Sequence, residues 1–305
     1  QRPQGSRPKP LPLMPDQAAP MVSVLTTVYN RAHFLEECIQ SLQRSKFEDY
    51  EHIIVDDAST DDSVAIARRY AAEDSRIKVF VNDQNLGDYP NRNQAAQHAT
   101  GTYLKYLDAD DLHGPWVLHV MVDAMETFPT AGLGIIDRGP NSPTFPLLLS
   151  GAEAQDEFYS HRRDMFNRSP LNAIIKRESF VELGGFSGKR MVGDFEMWHH
   201  LSSNYDVVII PDQLTHWRKH DHQEMTAHAE DPIWAFRYLL ISRAELSHSR
   251  NPMRSQTREQ HLGFVERRIG RTIVVAIKKH GLRKAQEMRL EAGWSWPQVI
   301  SAAFS

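Results

Sequence analysis

Four short strand-like apolar runs, the first of them rich in β-branched residues, occur between residues 21 and 111, and helical periodicity follows each of the first three; no other feature restricts the fold as much. "MVSVLTTVYN" is the first run. In "RAHFLEECIQSLQRS" after it, Phe34, Leu35, Cys38, Ile39 and Leu42 recur at the spacing of one helical face. "YEHIIVDDAST" and "DDSVAIARRYAAED" repeat the pair, with Ser59 to Asp62 placed to cap the helix start. "IKVFVND" then precedes the alanine-rich "NRNQAAQHATG", whose Gly101 suits a helix C-terminus, and "TYLKYLDADD" reads as the fourth strand. Parallel strands need crossover helices. The pattern therefore predicts an α/β fold: a Rossmann-like, mainly parallel sheet flanked by helices.

In such sheets ligands bind beyond the carboxyl ends of the strands. The polar residues at each strand end (Thr27, Tyr29 and Asn30; Asp56 and Asp57; Asp108, Asp110 and Asp111) would gather at that edge as a site. Asp108 and Asp110 lie two apart, so an extended backbone points both to one face. Two carboxylates that close repel unless a cation joins them. Hard oxygen donors suit Mg²⁺ or Mn²⁺, and Mg²⁺ binds through one or two carboxylates plus substrate phosphates. A metal–diphosphate clamp follows, with a solvated acidic turn as the alternative for a bare D-x-D.

Beyond residue 115 the alternation weakens. A helix over 115–127, a strand at "LGIID", a proline-containing loop over 139–147, a strand at "NAIIKRES", the helical "DFEMWHHLSS" and the strand "DVVIIPD" are expected in turn. From 231 onward the sequence reads mostly as helix. The expected organisation is a proline-rich tail over 1–20, a domain over 21–230 with halves 21–111 and 112–230, and a helical C-terminal extension over 231–305. With 305 residues and 41% hydrophobic composition the chain can bury a full core, and a net charge of -4 argues against a nucleic-acid partner. Residues 254–289 hold ten Lys or Arg against three Glu, which fits either a solvated helical face or peripheral contact with a membrane surface. The lone Cys38 reads as a small buried thiol. The chain begins at Gln1 rather than Met, as where residues have been removed upstream. It shows neither a spanning apolar run nor the apolar core of a secretory signal, so a cytoplasmic location is expected.

The ordered blocks "VSVLTTVYNRAHFLEECIQSL", "HIIVDDASTDDS", "NLGDYPNRNQAAQHATGTYLKYLDADD", "IIKRESFVELGGF", "GDFEMW" and "HWRKH" resemble the inverting nucleotide-sugar glycosyltransferases of the GT-A fold, glycosyltransferase family 2. The resemblance covers roughly residues 21–222. It implies metal-dependent transfer of a sugar, with inversion, from a nucleoside-diphosphate donor to a glycan acceptor hydroxyl, in glycan or polysaccharide synthesis. UDP is the family's habit, and Mn²⁺ or Mg²⁺ is the implied cofactor. Thr27 and Tyr29 would flank or stack on the base, Asp57 would accept a base N–H, and Arg92 would approach the nucleotide. An aromatic face and one directional acceptor are what a flat pyrimidine needs.

By the same resemblance Asp108 and Asp110 bind the metal, Asp110 most directly, while Asp111 either supports them or caps the next helix. "GDFEMW" falls where the family keeps an acidic pair opening a helix, the second member being the general base. Gly193 stands at the first position, so Asp194 inherits the base role, with Glu196 as its rival. Arg218 and His220 would reach the leaving diphosphate, His220 also the metal. The spacing of His216, His220 and His222 is open as well to zinc or to an exposed loop. Rival functions are a non-catalytic nucleotide-sugar-binding or scaffold module, a nucleotide-sugar hydrolase, and a nucleotidyltransferase, although "TTVYNRAHF" lacks the glycines of that last class's phosphate loop.

Overall fold

The computed structural model describes residues 19–139, 141–211, 215–216, 218 and 231–305. Strand β1 (Val22–Val28) leads to α1 (Ala32–Gln43), β2 (Tyr50–Asp56) to α2 (Ser63–Glu73), β3 (Ile77–Val81) to α3 (Asp88–His98), and β4 (Tyr103–Tyr106) to β5 (Leu112–His113) and α4 (Val117–Thr127). Next come β6 (Ala131–Ile136), β7 (Leu147–Leu149), α5 (Gly151–Tyr159), β8 (Ala173–Lys176), α6 (Arg177–Glu182), α7 (Gly193–Ser202), β9 (Asp206–Ile210) and β10 (Thr215–His216). The described chain ends in α8 (Pro232–Ser247), α9 (Ser255–Glu291, interrupted at Gly281) and α10 (Trp296–Phe304). Of the expected proline-rich tail, all but the last two residues lie outside this description.

Eight strands form one sheet in the order β3-β2-β1-β4-β8-β6-β9-β7. The first four pair in parallel, as the strand–helix alternation requires. β8 runs antiparallel to β4 and β6, and β7 antiparallel to β9, so the sheet is mixed, with six strands sharing one direction. Every residue of β2 is buried, which fits a strand covered on both faces. Leu25, Ile53, Leu104, Leu133, Ile175 and Ile209 meet α3 and α7 in one apolar layer, while Val22, Val24, Ile174 and Val208 meet α1 and α4 in another.

The C-terminal helices form a further apolar cluster around Phe236, Leu246, Ile269 and Val299. They also brace α7: Tyr238 Oη donates to the Met191 carbonyl (3.1 Å), and Glu245 bonds His200 (3.0 Å). Among the described residues no helix is long and apolar enough to cross a membrane.

Three local expectations change. Strand β4 ends at Tyr106, and Asp108 to Asp111 form a turn closed by the Asp111 N–H on the Asp108 carbonyl (2.9 Å), so the acids do not share an extended face. Gly101 does not end α3, which stops at His98; a Cβ on Gly101 would lie 2.6 Å from Ser23 N, so close strand approach demands the glycine. The elements β7, α5 and the antiparallel β5–β10 pair have no counterpart in the sequence reading. The strands are short and their pairing is non-local, whereas α5 carries a local signal that the reading missed, the Ser150–Glu153 capping box.

Candidate active site

Adjacent β1 and β4 bring the residues that follow them together. Arg31 Nε donates to Asp110 Oδ2 at 3.1 Å, and its Nη1 donates to the carbonyls of Tyr29 and Asn30. Arg92 stands on α3. Its Nε donates to Asp88 Oδ1 at 2.7 Å, and its Nη1 lies 2.7 Å from Asp108 Oδ1 as an ion pair without hydrogen-bond alignment. Burial disfavours the Arg92 charge, but the carboxylates of Asp108 and Asp88 outweigh it and raise its pKa, so the guanidinium stays cationic. Lys105, fully buried on β4, donates through Nζ to the carbonyls of Tyr106 and Leu171, and burial lowers its pKa to about 7. The acidic turn is thus offset by Arg31 and Arg92, both remote from it in sequence, with Lys105, three positions before Asp108, as a nearer but only partly charged neighbour. Arg31 escaped the sequence reading because the polar strand end was taken to stop at Asn30.

The arrangement suits a divalent cation. Asp108 and Asp110 are partly exposed, and each commits one oxygen to an arginine in the contacts above. Among the described residues no cluster of three or more His, Cys, Asp or Glu could cage a metal, but two carboxylates completed by donor phosphates form an ordinary Mg²⁺ or Mn²⁺ site. His220 lies outside the described residues. Arg218 donates its backbone N–H to Asp111 Oδ1 (2.9 Å) and its Nη1 to Glu37 Oε2 (2.6 Å), with its guanidinium over the Phe34 ring. Asp111 is 2% exposed, and burial, with Asp108 beside it, raises its pKa to about 8. Rather than capping α4, it fastens the segment at 218.

The expected nucleoside contacts divide. Tyr29 is 47% exposed at the end of β1, an aromatic face open to a base, and Thr27 is half-buried behind it in the strand. Asp57 is 3% exposed. Its Oδ1 accepts from the Asn82 side chain (2.8 Å) and the Leu86 N–H (2.9 Å), and its Oδ2 from the Gly87 N–H (2.9 Å). Three of its four lone pairs therefore hold the loop that enters α3, and at most one remains for a ligand. Gly87 takes φ +88°, a conformation that favours glycine.

Asp194 opens α7, and burial raises its pKa to about 6, against the pull of the Phe195 N–H, the Tyr89 hydroxyl and Arg92. The rival Glu196 accepts from Ser187 Oγ and Lys189 Nζ and so anchors the 184–192 loop instead. Gly184 and Gly185 make the expected turn there, both at positive φ. Asn93 clasps both the N–H and the carbonyl of Phe186, tying that loop to α3. Trp198 and His199 are fully buried, so neither is a surface group. One turn of α3 carries Tyr89, which bonds Asp194 (3.0 Å), and Arg92, which pairs with Asp108.

Comparison with known proteins bears on the family and the fold. The putative glycosyltransferase EpsH of Bacillus subtilis (strain 168) is 38% identical over 229 residues, 73% of this chain and 62% of EpsH. The uncharacterized glycosyltransferase EpsJ of the same organism is 42% identical over 92 residues, 30% of this chain and 26% of EpsJ. The chain spans between about a fifth and three fifths of the length of the curated relatives it matches. Among solved structures, S. aureus TarS 1-349 in complex with UDP-GlcNAc aligns with a TM-score of 0.69 at 18% identity, covering 89% of this chain and 79% of that one. The mannosyltransferase PcManGT from Pyrobaculum calidifontis, in complex with GDP-Man and Mn²⁺, aligns with a TM-score of 0.56 at 20% identity, covering 97% and 90%. At these identities the structural likeness concerns the fold. The profile of the family described as "Glycosyl transferase family 2" matches residues 23–188, more than half of the chain and including the acidic turn, so the chain belongs to that family and carries its GT-A fold.

Proposed function

We propose that this chain transfers a sugar, with inversion, from a nucleoside diphosphate to an acceptor hydroxyl on a glycan, with Asp194 as general base. The observation that carries the reading is Asp194 itself: a partly buried carboxylate with a pKa near 6, coupled through one turn of α3 to the acids after β4. Such a group is mostly ionised at pH 7 yet still basic enough to take a proton. As the acceptor oxygen attacks the anomeric carbon, its proton passes to Asp194, and the electron pair of the breaking C–O bond leaves with the diphosphate. Arg92 and Arg31 hold Asp108 and Asp110 in place on the leaving-group side. A Mn²⁺ or Mg²⁺ ion on Asp108 and Asp110 would supply positive charge to the departing diphosphate. Tyr29 would stack on the base, with Thr27 beside it and the last lone pair of Asp57 toward its N–H. The TarS complex with UDP-GlcNAc and the family's habit favour UDP as the nucleotide.

Calorimetric titration with UDP, GDP and dTDP, each with Mn²⁺ and with EDTA, tests the donor side. Metal-dependent binding of one nucleotide, lost in Asp110→Ala, is expected. Absence of binding to all three would turn the reading toward a scaffold module.

A further inference from the structure

Tyr89 carries no role in the sequence reading, yet it is the side chain set against Asp194. It is 4% exposed in the first turn of α3. Its hydroxyl donates to Asp194 Oδ1 (3.0 Å) and accepts from the Asp194 N–H (3.1 Å), while the Phe195 N–H donates to the same Oδ1 (2.8 Å). Oδ1 thus holds two donors, and Oδ2 holds none among the described residues. The phenol reaches this position only because residue 193 is glycine. A Cβ there would lie 2.9 Å from Cδ2, 2.9 Å from Cε2 and 3.0 Å from Cζ of the Tyr89 ring, closer than side chains pack, and the ring also packs on Phe186. The departure from an acidic pair at 193–194 therefore has a physical cause: the space of the first acid is filled by a tyrosine from another helix.

We propose that Tyr89 is a positioning residue for proton transfer: admitted by Gly193, its hydroxyl fixes Asp194 Oδ1 and leaves Oδ2 to receive the acceptor proton. This rests on the reading of Asp194 as the base. Burial, followed by the charge of Asp194, raises the Tyr89 pKa well above its ordinary value, so the phenol remains a neutral donor. Among the described residues, the titratable groups that act on Asp194 are Tyr89, Asp88 and Arg92 from α3 and Tyr238 from α8. Of these, Tyr89 and Arg92 favour the carboxylate and Asp88 opposes it. Loss of the phenol donor must then move the Asp194 titration upward.

The test needs no ligand for its first readout. Carboxyl ¹³C titration of aspartate-labelled protein, with the Asp194 signal assigned by its loss in Asp194→Asn, is expected to show a higher midpoint in Tyr89→Phe and in Gly193→Ala than in the wild type. The two variants strike one contact from different elements, so the outcome survives if either fails to fold. The second readout is release of UDP or GDP from UDP-GlcNAc, UDP-glucose and GDP-mannose. Tyr89→Phe is expected to lower kcat about ten- to a hundredfold with donor KM unchanged, as misplacement of a reacting group does. Wild-type midpoints in both variants would overturn the proposal, as would wild-type kcat in Tyr89→Phe where Asp194→Asn is inactive. Full turnover by Asp194→Asn would instead overturn the base assignment on which it rests.

Discussion

Arg31 reaches from the end of β1 to Asp110 in the turn after β4, Nε to Oδ2 at 3.1 Å, and so places a guanidinium on the acid proposed to touch the metal most directly. The pair is 28% and 17% exposed at its two side chains, so solvent screens it only in part. A fixed positive charge beside a cation site opposes a second cation. Donor phosphates relieve that opposition when they arrive.

Arg31→Ala should therefore bind Mn²⁺ more tightly than the wild type when no nucleotide is present. At partial exposure the removed repulsion is about 1 kcal/mol, roughly fivefold in affinity. Mn²⁺ titration followed by water-proton relaxation reads this directly. Unchanged or weaker Mn²⁺ binding would show that the guanidinium does not guard the site.

The reaction should lose rate on the acid side. Asp194 must be ionised to act as base, and its folded pKa is about 6. Log kcat/KM is expected to rise with unit slope up to about pH 6 and then level off. A steady-state profile between pH 4.5 and 8 tests it; a limb near pH 4 would point to a carboxylate that is not buried.

The same shift has a sign in stability. Asp194 rises from an ordinary 3.8 to about 6 on folding, so the folded state favours its protonated form. Its ionisation therefore destabilises the protein as pH climbs from about 4 to 6, and the effect is complete above the folded pKa. Asp194→Asn avoids it, while its amide oxygen still accepts from Tyr89 and Phe195. The variant should gain about 1–3 kcal/mol over the wild type at pH 7.5, and little at pH 4. Urea unfolding at both pH values measures the difference, and equal gains at both would contradict the assigned environment.

These predictions depend on relationships of very different visibility in the sequence. The strands up to β4 could be read because β-branched runs and helical periodicity are local, and acids at strand ends are legible once the sheet is inferred. Tyr29 and Asp108 were found in that way, whereas Asp194 was found only through the likeness of "GDFEMW" to the family's acidic pair. The partners were not: Arg31 and Asp110 are 79 positions apart, and Tyr89 and Asp194 are 105 apart. No period links such pairs. Asp57 shows a further limit, since it was read as an acceptor for a base N–H, while its three internal donors, from residues 82–87, depend on a loop path that composition does not encode. Gly193 stood in the sequence as a missing acid, and the ring that requires the glycine became visible only in three dimensions.

Arg92 offers the sharpest separation of structure from function. It is 7% exposed and stands between Asp88 and Asp108. Arg92→Met keeps much of the length and apolar bulk but leaves two carboxylates facing a site with one cation fewer. Removing one partner of a well-buried ion pair typically costs about 3–5 kcal/mol. Both acids here keep some contact with solvent, so about 2–3 kcal/mol is the expected loss at pH 7. Asp88→Asn in the Arg92→Met background should recover part of the stability, because one of the two like charges that Arg92 bridged is gone, whereas donor binding should stay weak because Arg92 remains absent. Thermal unfolding of the single and double variants at pH 7, beside calorimetric UDP binding, separates the two effects. Recovery of both together would mean that Arg92 acts on the nucleotide only by holding the fold.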